Sequence, residues 1–268
     1  MVVIILKILF IMSTVLFEVS NHVAFITLNR PEKLNSFNRE MALLLQEKLN
    51  ECTSPEVRCV YITGNGKGFS AGQDLAEVVN PNGIGMQSIL KEQFNPVVSK
   101  IRKLEKPVVA AVNGVAAGAG ANIALCCDIV VANTSALFTQ AFSKIGLIPD
   151  SGGTFILPRL IGWQRASALM MLGEKIHADE AARLGMIYKV FADDAFEEGS
   201  KKIAATLALM PTRGLWFTKQ ALSWSFNHTW DEQLMNEDKL QQRAAATNDF
   251  KEGVQAFLEK RQPNFKGE

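Results

Sequence analysis

"KPVVAAVNGVAAGAGANIALCCDIVVA", residues 106–132, holds two nearly unbroken apolar runs, "PVVAAVNG" at 107–114 and "DIVVA" at 128–132, around a glycine-rich middle. Runs of strand length without polar alternation suit a sheet covered on both faces, because each strand then meets apolar neighbours on either side. The reading extends outward from this pair. Toward the N-terminus, "VLFEV" and "VAFITL" are β-rich segments separated by the turn-prone Ser20–Asn21, so Val15 to Leu28 predicts a hairpin. Met41, Leu44, Leu45 and Leu49 fall at i, i+3, i+4 and i+8 and predict one apolar stripe on a helix that Asn38 would cap. "CVYIT" is a further strand, followed by a glycine-rich turn, a polar stretch through 76–87 and a helical segment to about Lys103. Strand, strand and helix recur unevenly, which implies an α/β core.

After about residue 196 the strand signals stop, and helices are expected near 197–209, near 212–226 and from Thr229 onward. Thr229 and Glu232 have the spacing of a capping box, in which each side chain satisfies a backbone donor at the other's position. Trp216, Phe217, Trp224, Phe226 and Trp230 crowd this region, and a core-filling or subunit-contact role is preferred for them over a ligand cage.

Composition narrows the function. The 268 residues, 48% hydrophobic and 21% charged, suffice for one large domain with an appendage. Twenty-eight basic and 27 acidic side chains, with no dense basic run, argue against a nucleic-acid face and leave small molecules or further copies of the chain as partners. Cys52, Cys59, Cys126 and Cys127 have no CxxC spacing, and His22, His177 and His228 lie far apart, so no metal site is expected and buried, reduced thiols in the cytoplasm are. "MVVIILKILFI", residues 1–11, is too short to cross a bilayer of roughly 30 Å and lacks a small-residue cleavage site. It reads as a non-native extension upstream of a natural start at Met12, without stable membrane insertion.

Two segments release a buried strand into a glycine-containing turn, "GNGKGFSAGQDL" at 64–75 and "NGVAAGAGANIAL" at 113–125. Neither has the spacing of a nucleotide-binding fingerprint. Together they offer one backbone N–H each to a carbonyl oxygen that becomes negative. "GLIPDSGG", 146–153, then raises a choice for Asp150: a helix N-cap approached through Pro149, or a catalytic acid/base.

"FSAGQDL", the 106–132 stretch and "GLIPDSGGTFILPRLIG" resemble the signatures of the enoyl-CoA hydratase/isomerase (crotonase) family. The likeness runs from about Leu16 to Phe265 and includes "TLNRPEKLNSFN" and "GVQAFLEKRQPNF". The resemblance implies an α/β spiral of ββα turns over 12–195, a helical trimerisation segment over 196–268, and a homotrimer or dimer of trimers. It implies an acyl-CoA thioester substrate, with coenzyme A carried by the substrate and no further cofactor. The thioester oxygen would be held by the N–H groups of Gln73 and Ala119, the latter usually glycine in the family. Lys33, Leu34, Ala71, Asp74, Leu75 and Lys260 match positions that surround coenzyme A. The two glutamates of family hydratases are replaced here by Asn122 and Phe142. Asn122 orients polar groups but does not titrate near neutral pH, and phenylalanine has no proton to exchange, so efficient hydration is disfavoured. Asp150 is then the remaining acid/base, as in some family isomerases. "AFSKIGLIPDSGGT" most resembles the phenylacetate-pathway members, which isomerise a ring-epoxidised phenylacetyl-CoA to an oxepin thioester; Phe142 would be an apolar wall for the ring. An enoyl-CoA hydratase, a 3,2-enoyl-CoA isomerase of fatty-acid oxidation and a non-catalytic acyl-CoA-binding or RNA-binding module are the alternatives.

Overall fold

A computed structural model describes residues 13–80 and 83–268; the N-terminal segment 1–11 and the expected start at Met12 lie outside them. The hairpin forms as expected, with β1 (Val15–Ser20) antiparallel to β2 (Val23–Leu28). Its turn is one residue further along than predicted, because Asn21 and His22 both take positive φ, 49° and 63°. A two-residue loop with both φ values positive matches the strands' right-handed twist.

From β2 the sheet grows by parallel pairing through β3 (Cys59–Gly64), β5 (Val108–Val112), β7 (Ile129–Asn133) and β10 (Lys189–Phe191). A second, four-stranded sheet takes β4 (Gly68–Ser70), β6 (Val115–Ala117), β8 (Leu137–Thr139) and β9 (Lys175–His177). Each of β3, β5 and β7 thus passes its chain to the second sheet before a helical segment returns it, and the strands stack in the same order in both sheets. This is the ββα spiral that the resemblance implied. The α-helices of six residues or more, in chain order, are α1 (Arg39–Glu51), α2 (Asn95–Lys103), α3 (Ala119–Leu125), α4 (Gly153–Ile161), α5 (Trp163–Leu172), α6 (Ala178–Arg183), α7 (Phe196–Leu209), α8 (Thr212–Trp224), α9 (Trp230–Ala245) and α10 (Asn248–Glu259).

The unbroken apolar runs have a direct explanation. Val108, Ala110 and Val112 of β5 pack into one core with α1, α2 and α3, while Val109 and Ala111 face a second core closed by Phe196, Ala204 and Ala208 of α7. Successive side chains of a strand point to opposite faces, so a strand between two cores has no polar position to spare. Tyr61 enters the second core and satisfies its hydroxyl on Ser200 Oγ of α7, 2.8 Å away. Asn38 caps α1 through Met41 N–H at 2.9 Å, and Met41, Leu45 and Leu49 are buried. The Thr229–Glu232 capping box is present. Of Trp216, Phe217, Trp224, Phe226 and Trp230 only Phe217 is buried; Trp224, Phe226 and Trp230 are exposed on this single chain. No helix among the described residues is long and apolar enough to cross a membrane.

Asp128 fixes the start of β7 against β5: its N–H donates to Val108 O and its Oδ2 accepts from Val108 N, both at 2.9 Å. Its carboxylate also meets the buried Lys219 Nζ of α8 at 2.8 Å, which ties a C-terminal helix to the sheet. Asp128→Ala strands the ammonium of Lys219 in the interior. We expect a loss of about 3–5 kcal/mol in unfolding free energy, measured by urea denaturation.

Candidate active site

The loop after β4 lies directly on the β6–α3 turn. Gly72 has φ +88°, and a Cβ there would stand 2.7 Å from Ala117 O and 3.3 Å from Ala119 N. Gly120 is pressed against Ser70, where a Cβ would meet side-chain and backbone atoms at 2.6 Å. Only residues without a side chain permit this approach. Gly118, at φ +52°, turns the chain into α3, so Ala119 N–H belongs to the first helical turn, whose amides have no intrahelical acceptor.

Three neighbouring amides are engaged: Gly72 N with Ser70 Oγ at 3.2 Å, Asp74 N with Phe37 O at 2.9 Å, and Gly118 N with Thr139 O at 2.9 Å. Among the described residues, the N–H groups of Gln73 and Ala119 have no protein acceptor, and that of Gly120, next along the first helical turn, has none either. Gln73 and Ala119 line a cavity of about 210 Å3. Ala119 is not among the residues of positive φ, so the usual glycine is not required at this point for backbone geometry.

The rest of the cavity is mostly apolar. Phe142 is buried on one side, its ring 3.6 Å from where a Cβ on Gly118 would stand. Ala71 and Leu75 line the cavity as expected. Val78, Met86, Ile89 and Phe94 line it as well, and sequence reasoning missed them. Ile89–Phe94 is a π-helical turn, and its wider i to i+5 spacing brings its first and last residues to the same cavity. A five-residue apolar interval matches neither helix nor strand periodicity, which is the one signal the sequence carried.

Asp150 is the only carboxyl among the lining residues, and Lys144, exposed at the rim, is their only ammonium. The N-cap reading of Asp150 is overturned. The cap position of α4 is Gly152, at φ +77°, and the Asp150 carboxyl accepts instead from Ser151 Oγ at 2.9 Å. Burial pushes the Asp150 carboxyl above its ordinary value of 3.8, with the Ser151 hydroxyl opposing the shift. Ser151 itself is buried and left-handed, at φ +51°, a conformation that costs a non-glycine residue on the order of 1–3 kcal/mol and marks a turn held in place by its surroundings.

Five expected substrate-binding residues do not line the cavity. Asn122 is fully buried; its Nδ2 donates to Asp150 O at 2.9 Å and its Oδ1 accepts from Gln140 Nε2 at 2.7 Å, so both ends of its amide are engaged within the protein. Asp74 pairs with Arg30 at 2.9 Å and caps the following helical turn through Ala76 N–H. Leu34 stays on the surface, though its carbonyl accepts from Ala71 N at 2.8 Å. Lys33 and Lys260 are exposed on a 3-10 turn and at the end of α10. No group of three His, Cys, Asp or Glu side chains among the described residues is placed to hold a metal ion.

Residues 18–268 match the family model for enoyl-CoA hydratase/isomerase. The chain belongs to the enoyl-CoA hydratase/isomerase family. It is 47% identical over 262 residues to 1,2-epoxyphenylacetyl-CoA isomerase of Escherichia coli strain K12, covering 96% of this chain and 99% of that one. It is also 35% identical to 2,3-dehydroadipyl-CoA hydratase of the same strain, covering 96% of this chain and 100% of that one. The crystal structure of enoyl-CoA hydratase from Bacillus anthracis has a TM-score of 0.88 at 32% identity, covering 95% of this chain and 100% of that one. The fold of this family member is therefore the crotonase fold, and its relatives include both isomerases and hydratases.

A carboxyl raised by burial favours the protonated folded state, so the ionised form at neutral pH weakens the fold. Asp150→Asn removes that cost. The variant should have a higher Tm than the parent near pH 7, with the gain disappearing as pH falls below about 3.8, where the unfolded chain's carboxyl is protonated too. Thermal unfolding followed by circular dichroism across pH checks the sign.

Proposed function

We propose that the protein is an acyl-CoA isomerase of aromatic degradation that converts ring-1,2-epoxyphenylacetyl-CoA to the oxepin thioester, or shifts enoyl-CoA double bonds by the same machinery. The observation that carries this reading is the meeting, in one apolar cavity, of a single carboxyl with two backbone N–H groups that have no protein acceptor. The 47% identity to an epoxyphenylacetyl-CoA isomerase supports the substrate class.

In this reading the thioester carbonyl accepts from Gln73 N–H and Ala119 N–H. Loss of a proton next to that carbonyl gives an enolate, and donors already aimed at the oxygen stabilise its charge more in the transition state than in the bound substrate. Asp150 takes the proton from one carbon and returns it to another. Its burial raises the carboxyl above its ordinary value, which makes the ionised form a stronger base for that proton. Phe142 supplies a flat apolar wall for an aromatic ring where a hydratase would present a carboxylate to water. For the epoxide, the same pair would assist ring opening and expansion. Coenzyme A enters as part of the substrate. Assembly as a cytoplasmic trimer or pair of trimers would cover exposed side chains such as Trp230, Phe257 and Leu258.

The purified protein should isomerise epoxidised phenylacetyl-CoA or a 3-enoyl-CoA, and Asp150→Asn should lower that rate by about two to four powers of ten with acyl-CoA binding little changed. Rapid hydration of crotonyl-CoA instead would replace this reading with that of a hydratase. Ala119→Pro offers a separate check on the oxygen-binding amide. Proline is tolerated at the first helical position but has no N–H, so kcat should fall by about 100- to 1,000-fold while the fold persists.

A further inference from the structure

Asn122 does not line the cavity, and both ends of its amide are engaged within the protein. It sits in α3 three residues after Ala119, one helical turn on and on the same side of the helix. Its Nδ2 donates to the main-chain carbonyl of Asp150 at 2.9 Å, and the same carbonyl accepts from Gly153 N–H at 2.9 Å. Gln140 Nε2 donates to the opposite end of the amide at 2.7 Å, which fixes which end of Asn122 faces Asp150. Gln140 is itself buried, at the exit of β8. Cys126 Sγ, at the C-terminal end of α3, meets the next carbonyl of the turn, Ser151 O, at 3.4 Å. The contact requires a bare position opposite: a Cβ on Gly153 would fall 2.3 Å from Asn122 Nδ2.

We propose that Asn122, held by Gln140, is a positioning residue that sets where the Asp150 carboxyl stands relative to the oxygen-binding amides. The inference rests on the isomerase reading above, since it acts through Asp150. One short helix carries both references: its first amide, on Ala119, meets the thioester oxygen, and one turn later its Asn122 side chain grips the turn that bears the acid. The distance over which a proton moves is then fixed by a rigid helical rise, while a loop held only by its own turns would wander. The left-handed Ser151 gives the grip a purpose, because a turn held in an unfavourable conformation relaxes when its tether is cut. Where family hydratases place a proton-transferring carboxylate, this chain has an amide that holds the replacement carboxylate from behind.

The experiment compares Asn122→Leu, Asp150→Asn and the double variant, with epoxidised phenylacetyl-CoA and a 3-enoyl-CoA as substrates. Leucine has the branching and heavy-atom count of asparagine and no donor. Displacing a catalytic group by about 1 Å costs about 100-fold, so Asn122→Leu should lower kcat about that much, leave KM within a few-fold, and shift the acid limb of the pH–rate profile. In the Asp150→Asn background it should cost nothing more, because its route to the reaction is already gone. Equal losses in both backgrounds, or a rise in KM at unchanged kcat, would overturn the proposal in favour of a general packing role. A fully active Asp150→Asn sinks the isomerase reading and this inference together, whereas an inactive Asp150→Asn beside a fully active Asn122→Leu sinks the inference alone. If Asn122→Leu does not fold, Gln140→Met carries the same test: it leaves Asn122 in place but free to rotate, and should give a smaller loss of kcat with the same absence of effect on Asp150→Asn.

Discussion

Two amides that make no hydrogen bond within the protein are the constraint around which this molecule is arranged. A backbone N–H shut away from water without an acceptor is costly, and folded chains avoid it. Here the two amides face a cavity instead, placed there by parallel stacking of the ββα turns, which leaves consecutive strand ends side by side, and by Gly72 and Gly120, which let those ends touch. Gly72 and Gly120 are first of all points of tight packing. Function follows from what the packing leaves over, namely two donors aimed into an apolar space with one carboxyl beside it.

The elements most legible in the sequence were those decided by local chemistry or by strand period. The runs at 107–114 and 128–132 announced a doubly covered sheet because both of its faces lie against cores. Asn38 and the Thr229–Glu232 pair announced helix starts because their side chains bond within one turn of themselves. Gln73 and Ala119 emerged from the family motifs, and the geometry brings both to the cavity.

What stayed hidden depended on contacts distant in sequence or on an uncommon backbone. The π turn at Ile89–Phe94 has no period to read. An N-cap was the alternative to the acid/base for Asp150, because aspartate after proline and before glycines so often is one; the left-handed Ser151 and Gly152 move the helix start beyond its reach. Asn122 looked like a substrate ligand because its position carries a catalytic group in related hydratases, and its partners, 18 and 28 residues away, appear only once the chain is folded. Lys219 gave no sign of meeting Asp128 across 91 residues, since a lysine in a helix is ordinarily solvated.

The second core has a bearing on how the chain divides. Tyr61, Val109 and Val131 belong to the strands of the spiral, yet their cover comes from α7, beyond the point where strands end. A fragment ending near residue 195 would bare a greasy sheet surface to water and leave the phenol of Tyr61 without Ser200. The line between spiral and helices is thus one of architecture alone. An excised N-terminal piece should clump, and evolution would find the two parts hard to exchange separately.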